Sequence, residues 1–177
     1  FEPVDGAQLR AAFPQILAHP GPVYLRLFRK QAWSVWPENM PFQLGKGAVL
    51  REGSGVSIFA SGIMAAEALE AAEQLAAEGI SAEVINLHTI KPLDAELVLA
   101  STGKTGCAVT AENASILGGL GSAVMECLSE AAPCPVQRVG VQDRFGEVGD
   151  MAYLQEALGL RATDIVQAAR KAISQKH

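Results

Sequence analysis

Strand and helix patterns alternate, with short links between them, from residue 54 to residue 177. Each short run rich in Val, Ile and Ala is followed by a longer segment whose apolar residues recur at helical spacing. The predicted strands cover residues 56–60, 82–87, 106–111 and 135–141, and the predicted helices cover 62–78, 95–100, 120–131, 151–158 and the residues after Thr163. This order is typical of a three-layer α/β/α fold with a mainly parallel sheet. One more strand pattern upstream brings the expected sheet to about five strands.

The first 53 residues do not follow this alternation. A helix pattern over 5–19 and a strand pattern over 23–28 stand alone, and a lone helix and strand cannot bury their own apolar faces. We therefore interpret residues 1–30 as the tail of a domain whose body lies upstream. Residues 31–53 contain several Gly and Pro residues together with Trp33 and Trp36, and they are predicted to be a linker. The main domain is then expected to span residues 54–177.

Composition excludes several classes of function. The formal net charge of -5 argues against a protein that binds nucleic acid through a basic face. The three cysteines show no C-x-x-C spacing, which indicates buried, reduced thiols and a reducing compartment. No apolar run approaches the ~20 residues of a membrane span, and no signal peptide is visible. We expect a cytoplasmic protein with neither a nucleic-acid nor a membrane partner.

An acid–amide pair and a glycine cluster lie between the third predicted strand of the main domain and the helix that follows it. The pair is Glu112 and Asn113, and the glycines are Gly118, Gly119 and Gly121. The third glycine of the dinucleotide-binding fingerprint is missing, which disfavours a nicotinamide or flavin site. A helix N-terminus of this kind can attract an anion. The alternative is structural: the glycines allow a tight turn and close packing, and the pair makes internal or interface hydrogen bonds.

His88 follows the strand at 82–87 and is expected at the same sheet edge, where open α/β sheets bind ligands. An imidazole can exchange protons near neutral pH, but no partner residue is evident from the spacing. The remaining histidines are scattered, so no metal cluster can be assembled from the sequence. We group His88 with the acid–amide pair and the glycines as a candidate anion or interface site, and we assign no metal site.

Three cationic residues accompany the strand pattern at 23–28. Arg26 interrupts an apolar run, and Arg29 and Lys30 follow its carboxyl end. A planar guanidinium suits bidentate capture of a phosphate group. Solvated or ion-paired surface charges are an equally good interpretation of the composition alone.

Five segments, in sequence order, resemble the C-terminal part of the transketolase family of thiamine diphosphate enzymes. They cover residues 21–26, 57–62, 86–94, 110–124 and 139–147. The segments His-Thr-Ile-Lys-Pro at 88–92 and Gln-Asp-Arg-Phe-Gly at 142–146 are most similar to bacterial transketolases made of two polypeptides. The chain would then be the end of the second polypeptide.

This resemblance implies that the parent enzyme moves a two-carbon ketol unit between sugar phosphates, with thiamine diphosphate and Mg²⁺ held by upstream domains. The family's metal-binding loop and its activating glutamate have no counterpart in this sequence. We therefore expect no cofactor, no catalytic residue and no activity on this chain alone. Arg29 matches the arginine that contacts the sugar phosphate in the family, with Arg26 as a weaker companion. The surrounding Phe28-Arg29-Lys30 departs from the Ser-Arg-Gln of some transketolases.

The resemblance also implies a role in assembly. The expected partners are upstream transketolase domains or an N-terminal subunit, together with a second copy in a homodimer. Two alternatives within the superfamily are the last domain of a 2-oxoacid dehydrogenase β subunit and that of a deoxyxylulose-phosphate synthase. An alternative of another class is a stand-alone regulatory domain that binds an anion near Glu112 and Gly118–Gly121.

Overall fold

A computed structural model describes residues 1–30 and 32–176. The order of the elements is α1 (Gly6–Ala18), β1 (Ala48–Arg51), β2 (Val56–Ala60), α2 (Met64–Ala77), β3 (Ala82–Asn86), α3 (Ala95–Thr105), β4 (Ala108–Ser115), α4 (Leu120–Ala131), β5 (Val136–Val141), α5 (Met151–Leu158) and α6 (Ala162–Ser174). The five strands form one sheet in the order β1-β3-β2-β4-β5. Strands β2, β3, β4 and β5 are parallel, and β1 is antiparallel to β3. The predicted α/β fold with a mainly parallel sheet is confirmed.

The central strand β2 shows why the sheet has three layers. All five of its residues are buried, as expected where helices cover both faces of a parallel sheet. Ile58 packs on one face with α2 and α6, and Phe59 packs on the other face with α3 and α4. The apolar stripes of these four helices therefore supply the two outer layers.

One strand prediction was wrong, and one strand was missed. Residues 23–28 form no strand, because no other strand of the described chain lies beside them. Their backbone hydrogen bonds run to Phe1, whose N-terminal amine donates to Tyr24 O and whose carbonyl oxygen accepts from Arg26 N. Conversely, β1 lies within the segment predicted as a linker. Its four residues stand among glycines and were missed because their extended conformation depends on pairing with the free edge of β3.

Parts of the described residues before 45 pack on the main domain. Gln8 of α1 is fully buried, and its amide donates to Asn86 Oδ1 at the end of β3 (2.7 Å). Trp36 is buried in the core that contains α2 and α6, whereas Trp33 remains exposed. Asp5 joins these parts, since one of its carboxylate oxygens caps α1 and the other accepts from Val35 N and Trp36 N. The domain boundaries at 30 and 53 stay a prediction.

The described residues contain no helix that is both long enough and apolar enough to span a bilayer. All three cysteines are free; Cys107 is buried, and Cys127 and Cys134 are partly buried. Burial raises the pKa of each of the three thiols.

Candidate functional site

The site to consider is the carboxyl edge of the sheet between β2 and β4. In the sheet, β3 lies on one side of β2 and β4 lies on the other side. The connections after β2 and after β3 therefore run in opposite directions, and the gap between β2 and β4 is the switch point where open α/β sheets usually bind ligands. Two cavities, of about 360 and 390 Å³, lie at this edge. Glu2 and Arg26 line both of them.

Glu112 turns away from this gap and caps helix α4. The side chain is 2% exposed; Oε2 accepts from Leu120 N (2.9 Å), and Oε1 accepts from Gly121 N (2.8 Å). The pairing of β4 with β5 is irregular between Ala111 and Ser115, and a bulge of this kind re-aims a side chain. The positive end of α4 therefore already holds an internal carboxylate. An external anion would have to displace it.

The glycine cluster makes this cap possible. A Cβ on Gly119 would lie 1.9 Å from Glu112 Oε2, so only glycine leaves room for the carboxylate. A Cβ on Gly121 would meet Arg138 and Thr110 at 2.9 Å, and Gly118 adopts a positive φ of 76° in the turn before the helix. The cluster thus serves close packing in this structure.

Asn113 lies beside Glu112 in the chain but has a different partner. Its side-chain oxygen accepts from Arg26 Nη1 (2.6 Å), and its carbonyl oxygen accepts from Arg26 Nη2 (3.1 Å). The same Nη1 is also ion-paired with the carboxylate of Glu2. Residues from the beginning of the chain, from the segment at 22–28 (which we call the extended segment) and from β4 therefore meet in one polar cluster, which we call the Arg26 cluster (Glu2, Arg26 and Asn113).

Sequence reasoning missed Glu2. Its side chain is 13% exposed, and burial raises its pKa, while the Arg26 charge acts in the opposite direction. The position of Arg26 did indicate that some partner exists, because an arginine in an otherwise apolar run implies a nearby hydrogen-bond acceptor or counter-charge. Nothing in the spacing identified which acceptor it would be.

Arg29 and Lys30 lie where the extended segment bends, and both are exposed. They line the larger of the two cavities together with Arg26, Asn113 and several apolar residues of α5. Within residues 1–30 and 32–176, Arg29 makes no hydrogen bond or ion pair. The structure therefore places Arg29, as an exposed residue, in the same cavity lining as Arg26 and Asn113.

His88 is buried and lines the smaller cavity together with Glu2 and Arg26, and its carbonyl oxygen accepts from Glu2 N (2.8 Å). Its Nδ1 is 2.9 Å from Thr89 Oγ1, and its ring packs against Phe42 at a centroid distance of 4.7 Å. Within the described chain, Nε2 has no hydrogen-bond partner. Burial lowers the pKa of the imidazole to about 4, so the ring is neutral at physiological pH and carries no charge with which to hold an anion.

No group of three or more His, Cys, Asp or Glu side chains that could hold a metal ion occurs in the part of the chain that the structure describes. The groups at this edge that could act chemically are therefore the exposed guanidinium of Arg29 and, beside it, the ion pair between Arg26 and Glu2. Such a group can bind and orient an anionic ligand.

Comparison with known proteins gives concordant matches. Residues 45–165 match the family model described as transketolase, C-terminal domain. The chain is 61% identical over 177 residues to the 6-deoxy-6-sulfo-D-fructose transketolase subunit SqwH of Clostridium sp. (strain MSTE9), covering 100% of this chain and 55% of that protein. It is 39% identical over 178 residues to 1-deoxy-D-xylulose-5-phosphate synthase 1 of Geobacter sulfurreducens, covering 98% of this chain and 28% of that protein.

A solved structure described as a split gene transketolase, inactive beta4 tetramer, superposes with a TM-score of 0.94 at 48% identity. That match covers 100% of this chain and 57% of the solved chain. The present chain thus spans about half the length, or less, of the relatives it matches.

Proposed function

Because the chain belongs to the family of transketolase C-terminal domains, we propose that it is the end of a thiamine diphosphate-dependent transketolase made of two polypeptides. The complete enzyme would move a two-carbon ketol unit between sugars. The match along all 177 residues to a subunit of a transketolase, and the fold match to a split gene transketolase, both support this proposal.

The part played by this chain would be assembly. Large apolar side chains are exposed on the extended segment and on the loop before α5, including Tyr24, Leu27 and Phe145. Exposed apolar side chains that lie together in a patch mark protein contacts. We assign them to contacts with upstream transketolase domains or an N-terminal subunit, and to a homodimer.

The described residues do not fit thiamine diphosphate and its metal ion. They offer no carboxylate cluster for Mg²⁺, and the N-terminus of α4 holds the carboxylate of Glu112, whose charge repels a diphosphate. We therefore assign the cofactor to the other domains of the parent enzyme, and we expect the isolated chain to be inactive.

A calorimetric titration of this chain with thiamine diphosphate and Mg²⁺ tests that assignment. We expect no binding heat from the chain alone and saturable binding once the N-terminal polypeptide is added. A one-site signal in the micromolar range from the chain alone would overturn the assignment.

The exposed guanidinium of Arg29 is the observation on which we base the substrate class. Arg29 lines a cavity of about 390 Å³ together with Lys30, and it has no hydrogen-bond or ion-pair partner among the described side chains. A sugar with a terminal anion, either a phosphate or the sulfonate named for the 61% identical relative, would suit this group. The family match at Arg29 supports the same role.

Replacing Arg29 by alanine in the assembled enzyme should reduce kcat/KM for 6-phosphorylated or 6-sulfonated fructose by roughly 10- to 50-fold, mainly through KM. Activity toward fructose itself should change little, because fructose has no terminal anion to lose. Arg10→Ala, at an exposed position on α1, is the matched control. An equal loss on all three sugars would contradict an anion-binding role for Arg29.

A second candidate is a deoxyxylulose-phosphate synthase, which the 39% identity to the Geobacter protein favours. Such an enzyme would form 1-deoxy-D-xylulose 5-phosphate, whereas a transketolase would move a two-carbon ketol unit between sugars. Identification of the product of the assembled enzyme by mass spectrometry separates the two.

A further inference from the structure

We propose that Arg26 is a positioning residue: it ties the segment that carries Arg29 to the carboxyl edge of the sheet, through Asn113 and Glu2. This inference rests on the proposed role of Arg29 in binding the terminal anion of the sugar. It assigns to Arg26 a function different from direct contact with the substrate.

The attachment of the extended segment to the domain depends on Arg26. Within the described residues, every hydrogen bond of residues 22–28 runs to Phe1 or belongs to the Arg26 cluster. Arg26 contributes through both its backbone and its side chain: its backbone N–H donates to Phe1 O (3.0 Å), and its guanidinium donates to Asn113 and Glu2. A segment without a neighbouring strand has few other restraints.

Asn113 makes this attachment directional. Two separate nitrogens of Arg26 donate to two oxygens of the same residue, at 2.6 and 3.1 Å. A planar guanidinium that is held at two points has a fixed orientation, which a lysine ammonium cannot reproduce. Asn113 in turn lies in the irregular part of β4, between Ala111 and Ser115, which both pair with β5, so the anchor is joined to the sheet on either side.

Arg29 follows this anchor by three residues. At about 3.3 Å per extended residue, it lies within roughly 10 Å of Arg26 along the chain. Both residues line the same cavity, and the chain bends at Arg29 and Lys30. A shift of the backbone at Arg26 would therefore move the Arg29 guanidinium relative to that cavity.

Direct binding of substrate by Arg26 is less well supported. Its guanidinium already donates to three oxygen acceptors, and the Glu2 carboxylate neutralises its charge. The Glu2 side chain fits closely into this place: a Cβ on Gly62 would lie 2.6 Å from its carboxyl carbon. The cluster lies at the switch point, where other open α/β sheets hold a ligand, and there the Glu2 carboxylate already occupies the guanidinium of Arg26.

The test is a double-mutant cycle in the assembled enzyme. The measured quantity is the ratio of kcat/KM for 6-phosphorylated fructose to that for fructose. Arg26→Lys and Asn113→Ala should each lower this ratio about five- to tenfold, with the change mainly in KM. In an Arg29→Ala background, the same changes should alter the ratio less than about twofold, because there is then no guanidinium left to position.

Two results would overturn the inference while leaving the proposed role of Arg29 intact. Equal losses on both sugars would mean that Arg26 is only structural, and an undiminished effect in the Arg29→Ala background would mean that Arg26 binds the anion directly. Asn113→Ala leaves Arg26 in place, so the ratio of the two kcat/KM values can be measured in this variant even if the Arg26→Lys variant does not assemble. If Arg29→Ala alone leaves the ratio unchanged, the proposed role of Arg29 fails first, and this inference fails with it.

Discussion

Replacing Glu112 by alanine is expected to lower the free energy of unfolding by about 4 kcal/mol. The substitution removes the acceptor of two hydrogen bonds and leaves Leu120 N and Gly121 N buried without partners. It also removes the negative charge from the N-terminus of α4. Equilibrium unfolding in urea, followed by circular dichroism, measures the loss.

Gly119→Ala should cause a loss of similar size for a steric reason. Its new methyl group would occupy the position that Glu112 Oε2 now holds, at 1.9 Å, and would expel the carboxylate from the helix end. The Glu112→Ala/Gly119→Ala double variant should then be little less stable than Glu112→Ala alone, since the methyl group no longer has anything to displace. Glu126→Ala, at an exposed position on the same helix, is the control.

Additive losses in the double variant would show that Gly119 contributes through some other contact. A loss below about 1 kcal/mol for Glu112→Ala would show that the cap contributes little and that water replaces it. Either result would revise the structural role that we assign to the glycine cluster.

A decrease of about 2 kcal/mol in the free energy of unfolding is expected from His88 alone when the pH falls from 7.5 to 5, and about 3 kcal/mol by pH 4. The folded-state pKa of about 4 lies below the ordinary value of 6.5, so folding favours the neutral ring. The stabilisation is complete above pH 6.5 and is lost as the pH falls toward 4. Desolvation is the main cause, because the ring is 1% exposed and packs against Phe42.

The measurement is the urea-unfolding free energy of the parent chain and of His88→Asn across this pH range. The variant should show the shallower slope, whatever its stability at pH 7.5. Glu2, whose pKa is raised, has the opposite dependence, but it is present in both proteins and cancels in the comparison. His19→Asn controls for the loss of an exposed imidazole. Equal slopes for the parent and His88→Asn would contradict the proposed neutral state.

The sequence predicted those elements whose burial follows a local period. Strands β2, β3 and β5 and helices α2 and α4 have apolar residues at strand or helix spacing, and they lie close to the predicted positions. Strand β1 has only partly buried residues and no clear period, so pairing with β3 decides its conformation. Residues 23–28 have the composition of a strand but lack a neighbouring one, and composition cannot supply it.

The contacts of the candidate site likewise fall into local ones, which the sequence could indicate, and distant ones, which it could not. Glu112 and the amides that it caps are eight and nine residues apart, on one strand–turn–helix unit, so their contact was within reach of local reasoning. Arg26 and Asn113 are 87 residues apart, and only the fold brings them together. Whether Arg29 forms an ion pair depends in turn on which carboxylates are already paired with other arginines, and a single sequence does not determine that pairing.

Strand β1 also affects how copies of this domain can meet. A parallel sheet that ended at β3 would present a row of open backbone donors and acceptors, onto which the sheet of another molecule could add. Four residues of antiparallel strand, with a register shift between Val49 and Arg51, cover that row and leave a short, irregular border in its place. Short and bulged borders discourage continuation of a sheet from one molecule into the next. Copies of the domain that associate along this border would therefore do so through side chains, with each sheet remaining separate.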